Sequence, residues 1–353
     1  MPRRSSSPTM RDIAKGANVS IGTVSRVLNR HEDVDTELRD RVEGVARKLG
    51  YQLSTRTRIV VHTKSKIIGL ILLNDFGLSS AQSLLLLGVE EYCSAAGYYL
   101  LFARHQYPEG AVSTALEVPS VVQTPGLADC VIVAGSIQSN ILQAFQDYGL
   151  RYVMLRNHFM DGNSALEGSA VEYDDAGGCY QATHYLAQLG HKQIWYIGDA
   201  SRPWHRNRFK GYARAIAELE LESYAHTIAL SDDEFENGQA AVSYILEQGW
   251  PMTAILAASD QLAFGAREGL RQHRRDVPKD VSLIGFEHET GRGRASNLTS
   301  VSVDMVEVGR QLAKAAISQI EGRDREIGKI VVPTSLMKRS TCRPLRKEEH
   351  MML

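Results

Sequence analysis

The chain has 353 residues, 43% of them apolar, and is therefore long enough to bury more than one hydrophobic core. Its formal charge of −1 hides an asymmetry, because residues 1–66 hold 14 Lys and Arg against 7 Asp and Glu, whereas residues 67–353 hold 26 against 34. The four widely spaced cysteines exclude a zinc or disulfide framework, and the short apolar runs exclude a secretory signal and a membrane span, so we expect a cytoplasmic protein.

The basic N-terminal segment begins with a short predicted helix. Thr9 is a candidate N-cap, with Asp12 three residues later in the first turn. Ile13 and Ala17 lie on one apolar stripe, and Asn18 follows as a residue that tolerates the left-handed conformation of a sharp turn. The pattern predicts a helix and then an abrupt change of direction.

A second helix is predicted to have one apolar face and one polar face. Ser20 is its candidate N-cap, and Val24, Val27 and Leu28 recur at helical spacing on the inner side. The residues expected to face outward are Ile21, Gly22, Thr23, Ser25, Arg26 and Asn29. Such a face suits the DNA major groove, where an Arg side chain reads guanine. A three-helix domain that binds a protein is the alternative that this pattern leaves open.

A third helix is predicted to follow directly. Asp35 is its candidate N-cap, Leu38, Val42 and Val45 supply its apolar side, and Gly50 stops it. Three short helices would then share one small core.

The strings DIAKGANVSIGTVSRVLN and VDTELRDRVEGVARKLGY closely resemble the DNA-binding domain of the lactose-repressor and galactose-repressor (LacI/GalR) family. The resemblance implies that Ile21, Gly22 and Arg26 read base edges. It implies backbone or further DNA contacts from Arg11, Ser20, Thr23, Ser25, Asn29, Tyr51, Ser54, Thr57 and Val60. Gly22 has no side chain, so one reading position is blank, and Ile21 offers only apolar contact, for example to a thymine methyl.

Residues 52–66 correspond to the family's hinge, a helix that folds on operator DNA and inserts a Leu into the minor groove. Val60 stands at the Leu position, Leu53 replaces a common Pro, and residues 59–61 form a β-branched run with weak helix propensity. We therefore expect a hinge that is disordered off DNA and less stable on it than in relatives with Ala and Leu there. A flexible basic linker near the phosphates is the alternative.

From residue 67 onward, predicted strands and helices alternate. The apolar strand candidates are 67–73, 98–103, 130–135, 152–156, 193–198, 254–259 and 281–286. The predicted helices between them include 84–96, 176–189, 208–219 and 308–321. This rhythm predicts parallel sheets covered by helices on both faces, with ligands at the carboxyl ends of the strands.

This body resembles the family's effector domain, with LGHKQIWYIGD, RNRFKGYARAI, AASDQLAFGA and DVSLIGFEHE in order. The resemblance implies the fold of periplasmic sugar-binding proteins: two α/β lobes, three crossings between them and a ligand cleft. The expected limits are a helix-turn-helix domain at 9–51, a hinge at 52–66 and an effector domain at 67–345. Within the last, the first lobe would be about 67–170 and 303–321, and the second about 171–288 and 323–345.

The expected effector residues are Asn74, Phe76, Arg156, Arg208, Ser259, Asp260 and Glu287. By resemblance, Arg208 grips the ligand and the last three hold sugar hydroxyls. Arg156 stands where sugar-responsive relatives often carry an acid, and a second cation favours an anionic ligand such as a sugar phosphate or sugar acid. The alternative is that Arg156 pairs with Glu287 and the ligand is neutral.

The sequence predicts a repressor rather than an enzyme, because it lacks a Gly-x-Ser-x-Gly elbow, a phosphate loop and a His-Glu-x-x-His motif. We expect no cofactor and no metal. The C-terminal RPLRKEEHMML lacks the heptads of a tetramerisation helix, so we expect a homodimer on a near-palindromic operator, controlled allosterically by a small ligand. A free-standing sugar receptor and a sugar-modifying enzyme are the alternatives.

Overall fold

The structure is a computed structural model that divides into two compact units, Met1–Ser65 and Lys66–Leu353, which we call the head and the body. It describes residues 10–28, 34–49, 64–74, 79–124, 126–161, 169–227, 231, 233–287, 297–322 and 329–345. Of residues 10, 11, 25, 28, 47 and 287, only the backbone is described.

The described part of the head consists of three helices around one small core. They are α1 (Met10–Ala17), α2 (Ile21–Leu28) and α3 (Thr36–Lys48). Their inward faces share an apolar cluster that includes Ile13, Ala17, Val24, Val27 and Val42. The apolar stripes in the sequence are therefore the buried faces of these helices.

Side chains at the helix starts and at one turn set the path of the head. Asn18, between α1 and α2, has a left-handed φ of 53°. Ser20 Oγ accepts the N–H of Thr23 at 3.1 Å, and the Asp35 carboxylate accepts two N–H groups in the first turn of α3 at 2.9 and 3.2 Å. These contacts satisfy amides that the helix itself leaves unpaired. The predicted caps at Ser20 and Asp35 are confirmed, and Thr9 lies outside the described residues.

The first lobe of the body contains a six-stranded sheet. Its strands are β1 (Ile67–Leu73), β2 (Tyr99–His105), β3 (Cys130–Gly135), β4 (Tyr152–Leu155), β5 (Ser169–Tyr173) and β11 (Ile330–Val332). Its helices are α4 (Ser80–Ala95), α5 (Ser120–Gln123), α6 (Ser139–Asp147) and α11 (Met305–Glu321), with short 3-10 turns at Ser113–Ala115 and Arg156–His158. The spatial order is β11-β5-β4-β3-β1-β2, and every neighbouring pair is parallel.

The second lobe repeats this plan with one reversed strand. Its elements are α7 (Asp175–Gln188), β6 (Ile194–Gly198), α8 (Pro203–Glu218), β7 (Tyr224–Thr227), α9 (Glu234–Glu247), β8 (Ala254–Ala257), α10 (Asp260–Gln272), β9 (Ser282–Glu287), β10 (Thr299–Val303) and β12 (Thr334–Met337). The spatial order is β12-β10-β9-β8-β6-β7. The pair β10–β12 is antiparallel and the other pairs are parallel. The predicted pair of parallel α/β sheets is therefore confirmed.

The described chain passes between the lobes three times: after β5, after β10, and between β11 and β12, where Pro333 alone intervenes. The sequence analysis assigned residues 171–173 and 330–332 to the second lobe. The two strands instead pair with each other in the first sheet, Ile330 opposite Val171, because their backbone hydrogen bonds hold them there. Strand β10, which begins at Thr299, lies in the second sheet.

Several helices begin earlier than the periodicity predicted, because capping residues rather than apolar spacing set their starts. Helix α4 begins after Ser79, whose side chain forms a capping box with Gln82. Helix α8 begins at Pro203, a residue suited to the first helical position. Strand β8 ends at Ala257 because Ser259 already caps α10.

Disulfide bonds, metal-binding clusters and membrane-spanning helices are missing from the part of the chain that the structure describes. The four cysteines are free thiols, and burial raises the pKa of both Cys93 and Cys130 to about 12. No three His, Cys, Asp or Glu side chains in these ranges are grouped to hold a metal ion. No helix in them has the length and hydropathy to cross a membrane.

Helices α4 and α11 cross at two glycines. A Cβ on Gly88 would overlap the carbonyl oxygen of Val306, and a Cβ on Gly309 would overlap that of Leu85. The overlapped atoms are backbone and cannot rotate away. The close contact between these helices therefore requires glycine at both positions.

We expect Gly88→Ala to lower the free energy of unfolding by about 1–3 kcal/mol, because the helix pair must separate to admit the methyl group. Ser94→Ala, at an exposed position of the same helix, is the control and should stay within about 0.5 kcal/mol of the wild type. Urea denaturation followed by circular dichroism measures both. Equal stability of the two variants would contradict the glycine contact.

Candidate functional site

The outer face of α2 is a candidate nucleic-acid interface. Ile21 is 46% exposed, and Gly22 and Arg26 are also exposed. Val24 and Val27, on the opposite side of the helix, are completely buried. Helix α2 therefore presents an apolar side chain, a bare backbone position and a guanidinium along one side.

The hydroxyl groups of Ser20 and Thr23 lie 2.9 Å apart at the start of this face, and the Ser20 hydroxyl also caps α2 by accepting the N–H of Thr23. For two further predicted DNA contacts, Arg11 and Ser25, only the backbone is described. The others, Asn29, Tyr51, Ser54, Thr57 and Val60, lie outside the described residues. Their DNA contacts and the hinge wedge stay predictions.

In the body, the guanidinium of Arg208 is completely buried in α8. Its Nε lies 2.7 Å from Asp175 Oδ1, its Nη1 donates to the Ala258 carbonyl at 2.5 Å, and its Nη2 donates to the Tyr173 hydroxyl at 3.3 Å. The ring of Phe286 lies beneath it, with the centroid 3.8 Å from Cζ. A buried carboxylate thus balances the buried cation, and further polar groups satisfy the remaining donors named here.

Asp175 is held from the first lobe as well. Its Oδ2 accepts a hydrogen bond from Asn157 Nδ2 at 2.7 Å. Asn157 also exchanges two hydrogen bonds of 2.9 Å with the backbone of Tyr173. The series Asn157, Asp175 and Arg208 therefore joins the 3-10 turn of the first lobe to α7 and α8 of the second.

Arg208 was expected to grip the ligand, yet it is 0% exposed in this arrangement. A ligand reaches the guanidinium only if the Asp175 pair opens or the lobes shift. A direct role for Arg208 in ligand binding stays a prediction.

Ser259 and Asp260 lie at the start of α10, where both are only 3% exposed. Ser259 Oγ accepts the N–H of Leu262 at 3.1 Å and donates to the carboxylate of Glu234. Asp260 accepts the hydroxyl of Ser300 at 2.7 Å. Both side chains stabilise local structure here, and their contact with a sugar stays a prediction.

The other predicted ligand residues lie at strand ends. Asn74, after β1, has a φ of 48°, and its Oδ1 accepts the N–H of Tyr107 at 2.8 Å. Its Nδ2 lies 3.5 Å from Glu109 Oε1. Phe76 lies outside the described residues, and Glu287 is described only by its backbone at the end of β9.

Arg156 follows β4 and faces the neighbouring strand β5. Its Nε lies 3.8 Å from Glu172 Oε2, and the other oxygen of Glu172 lies 2.7 Å from Lys329 Nζ. One carboxylate is therefore shared by two cations. The alternative partner from the sequence analysis was Glu287, whose side chain is not described, so that pairing stays a prediction. Among the described side chains, the acidic partner of Arg156 is Glu172.

An open cleft of about 410 Å³ lies between the lobes. The first lobe lines it with Arg156, Asn157, Phe159, Glu172, Tyr173 and Lys329. The second lobe lines it with Asp174, Asp175, Ala176, Pro203, Arg206, Asn207 and Lys210. Its volume lies within the roughly 300–1,000 Å³ of small-molecule sites, and its lining is mostly polar.

Of the predicted ligand residues whose side chains the structure describes, only Arg156 lines this cleft, and Arg208 lies behind Asp175. The sequence analysis did not select Arg206 and Lys210 as ligand residues, because the helix it predicted began only at residue 208. In α8, which begins at Pro203, their spacing of four residues puts them on one face. The sequence analysis also missed Glu172 and Asp175, because β5 was not predicted and nothing in the sequence marks their distant partners.

A second polar group surrounds Glu234. Arg202 Nη1 lies 2.7 Å from Glu234 Oε1, and His205 Nε2 lies 3.6 Å from the same oxygen. His205 Nδ1 accepts the N–H of Asp199 at 3.0 Å, which places the ring proton on Nε2. Burial, together with the nearby guanidinium groups of Arg208 and Arg202, holds the pKa of His205 well below its ordinary value. The ring is therefore neutral at neutral pH, although a carboxylate is near.

The head and body define a class of protein. Two α/β lobes, three crossings and an interlobe cleft are the architecture of a periplasmic-binding-protein-like domain, here in one chain with a helix-turn-helix head. The family model described as "Bacterial regulatory proteins, lacI family" matches residues 9–54, and the model described as "Periplasmic binding protein-like domain" matches residues 183–342. These two matches agree with the resemblance to the LacI family that the sequence predicted.

Curated relatives match along nearly the whole chain. The ribose operon repressor of Haemophilus influenzae is 28% identical over 94% of this chain and 98% of its own length. The transcriptional repressor CytR of Escherichia coli K12 is 27% identical over 97% and 98%. These relatives are transcriptional repressors, not enzymes.

Solved structures share the fold. The Lac repressor dimer bound to operator and the anti-inducer ONPF has a TM-score of 0.74 and 21% identity, over 96% of this chain and all of that one. The transcriptional regulator CelR in complex with cellobiose has a TM-score of 0.67 and 25% identity, over 95% and 99%. The likeness extends through both the head and the body.

The neutral, buried His205 leads to a prediction about pH. In the unfolded chain this ring takes up a proton near its ordinary pKa of 6.5, but in the folded chain it stays neutral to much lower pH. The unfolded state then binds more protons, so stability falls as the pH decreases through 6.5, by about 1.4 kcal/mol between pH 7.5 and 5.5.

We expect His205→Asn to remove that share of the pH dependence, because asparagine can accept the Asp199 N–H but does not titrate. Urea unfolding at the two pH values measures the change within each variant. His273→Asn, at an exposed position after α10, is the control and should keep the wild-type slope. An unchanged slope in His205→Asn would show that the buried ring does not cause it.

Proposed function

We propose that this protein is a transcriptional repressor that binds a near-palindromic operator as a homodimer and whose operator affinity is set by a small polar ligand. The observation that carries the proposal is the division of α2 into two faces. Arg26 and Ile21 are exposed, whereas Val24 and Val27 are completely buried in a helix-turn-helix of the LacI family.

In the proposed complex, α2 lies in the major groove. The fork of Arg26 donates to guanine O6 and N7, and Ile21 contacts a thymine methyl. Gly22 leaves one position unread by a side chain, so DNA shape contributes more of the specificity there. Ser20 and Thr23, with Ser25 and Asn29, hold the phosphates.

The homodimer follows from symmetry. The Lac repressor relative is described as a dimer bound to operator, and this chain is similar to it in fold. A two-fold dimer presents two reading helices and so selects two symmetric half-sites. We place the DNA-binding domain at 9–51, the hinge at 52–66, with Val60 as its wedge, and the effector domain at 67–345.

The interlobe cleft is the proposed ligand site. One relative is a ribose operon repressor, and one structural neighbour is a complex with cellobiose. These names support a sugar or sugar derivative, held by residues that include Arg156, with Arg208 joining them if its pair with Asp175 opens. A ligand changes operator affinity only if it binds the two lobe orientations unequally.

We expect Arg26→Ala to weaken binding to DNA duplexes selected from random sequence by the wild type. The loss should be about 1–3 kcal/mol, roughly 5- to 150-fold, with relaxed preference at one base pair, because the bidentate contact to guanine disappears. Electrophoretic mobility shift with single-base variants of the selected duplex measures both effects.

Arg41→Ala is the matched control, because it removes the same charge from an exposed position of α3. It should keep the base preference of the wild type, even if it weakens binding to all sequences alike. If the two variants had the same base preference, α2 would not be the reading helix.

We also expect a small polar ligand to raise the melting temperature of the full chain and to change its affinity for the selected duplex by roughly 5- to 150-fold. A thermal-shift panel of neutral sugars, sugar phosphates and sugar acids, followed by duplex titration, tests this. A ligand that stabilises the protein but leaves duplex affinity unchanged would refute the switch. Its conversion to a product would indicate an enzyme.

A further inference from the structure

Two of the three carboxylates in the interlobe cleft are already engaged within the second lobe. Asp175 balances the buried guanidinium of Arg208 at 2.7 Å. Asp174 accepts the N–H of Gly177 at 2.7 Å and so caps α7. These groups therefore add little free negative charge to the cleft.

The third carboxylate, Glu172, is shared between two cations. It lies 3.8 Å from Arg156 and 2.7 Å from Lys329, and both cations belong to the first lobe. One negative charge cannot neutralise two positive ones. The first-lobe side of the cleft therefore keeps a net positive charge.

The second-lobe side presents two more cations. Arg206 and Lys210 are exposed on α8 and line the same cleft. Lys210 Nζ donates to Asn207 Oδ1 at 3.1 Å, a neutral partner. Within the described ranges, no carboxylate forms an ion pair with Arg206 or Lys210. Their charges face the cleft without compensation from the described carboxylates.

The start of helix α8 adds to this positive field. Helix α8 begins at Pro203, which lines the cleft, and no side chain caps it, whereas the Asp174 carboxylate already caps α7. The first turn of a helix carries the positive end of its dipole. Cations from both lobes and one helix start therefore border a single space of about 410 Å³.

We propose that the cleft binds the carboxylate or phosphate group of an anionic ligand between Arg206 and Lys210 of the second lobe and Arg156 and Lys329 of the first. The inference rests on the proposed function, because it names the chemical class of the ligand that controls the repressor. Asp175 already neutralises Arg208, so the charge of the ligand is recognised by the cleft-facing side of α8 and not by Arg208.

The same charges give the ligand a mechanical effect. Without a ligand, like charges on the two lobes repel each other across the cleft. An anion between them replaces repulsion by charge-assisted hydrogen bonds to both sides. It therefore favours the orientation in which the two pairs of cations are close, and a neutral sugar of the same size lacks this preference.

Isothermal titration calorimetry on the full chain at constant ionic strength tests the proposal. The anionic probes are inorganic phosphate, D-ribose 5-phosphate and D-galacturonate, and the neutral probes are D-ribose and D-galactose. The test variant is Arg206→Gln/Lys210→Gln, whose substituted side chains are exposed and leave the core intact. The phosphate and uronate arms distinguish a phosphate ligand from a carboxylate ligand.

We expect at least one anionic probe to bind and to lose at least about tenfold in affinity in the double variant, because charge-assisted hydrogen bonds are removed. Arg214→Gln/Lys192→Gln removes the same charge from exposed positions that do not line the cleft and should bind like the wild type. Arg26→Ala should also bind like the wild type, which excludes anion binding by the head.

Two results would overturn the proposal: no anionic probe binds, or the double variant and its control lose affinity equally. If a neutral sugar then binds and changes affinity for the selected duplex, the proposed repressor function stands without the anionic ligand. If no DNA duplex can be selected at all, the proposed function fails, and the calorimetry still decides whether the cleft binds anions.

Discussion

The ion pair between Arg208 and Asp175 is buried where the two lobes meet, and it determines what each side of α8 does. Removing one partner of such a pair costs several kcal/mol, because the other charge stays buried without compensation. The pair holds α8 against the start of α7, while Asn157 and Tyr173 connect it to the first lobe. Residues 206 and 208 point about 200° apart on a helix. Since Arg208 faces inward, Arg206 faces the cleft, and the buried pair thereby sets the charge of the proposed ligand site.

Three arginines of this protein differ in their proposed roles, and the surroundings of each side chain account for the difference. Arg26 is exposed on α2, the helix that we propose reads base edges. Arg208 is sealed from water and matched to a carboxylate, so it acts as a structural joint. Arg206 is exposed in a confined space with other cations, where a diffusible anion is its natural counterion. The type of a residue therefore indicates its function only when its burial and its partners are also known.

Local chemistry made the head largely predictable from sequence. Apolar spacing located its helices, and Ser20 and Asp35 marked two helix starts, because a cap acts within one turn. Seven strands were also visible as apolar runs, but β5, β7, β10, β11 and β12 were not, because each of them is short or mixes apolar with polar residues. The proposed ligand site was harder to predict from the sequence for a different reason. Arg208 and Asp175 are 33 residues apart, and Ser259 and Glu234 are 25 apart, so only the tertiary fold brings them together. Sequence supplied candidate charges, but not which of them would neutralise each other.

A single residue, Pro333, separates β11 in one lobe from β12 in the other. Consecutive Cα atoms are only about 3.8 Å apart, and proline restricts its own φ. At this point the lobes cannot slide past each other by a strand width, so their relative motion is confined to rotation about the crossings. Side chains near this axis, such as Tyr173 at the end of β5, travel little when the lobes turn, while the distant ends of the lobes travel far. The paired strands β11 and β5 lie beside this axis.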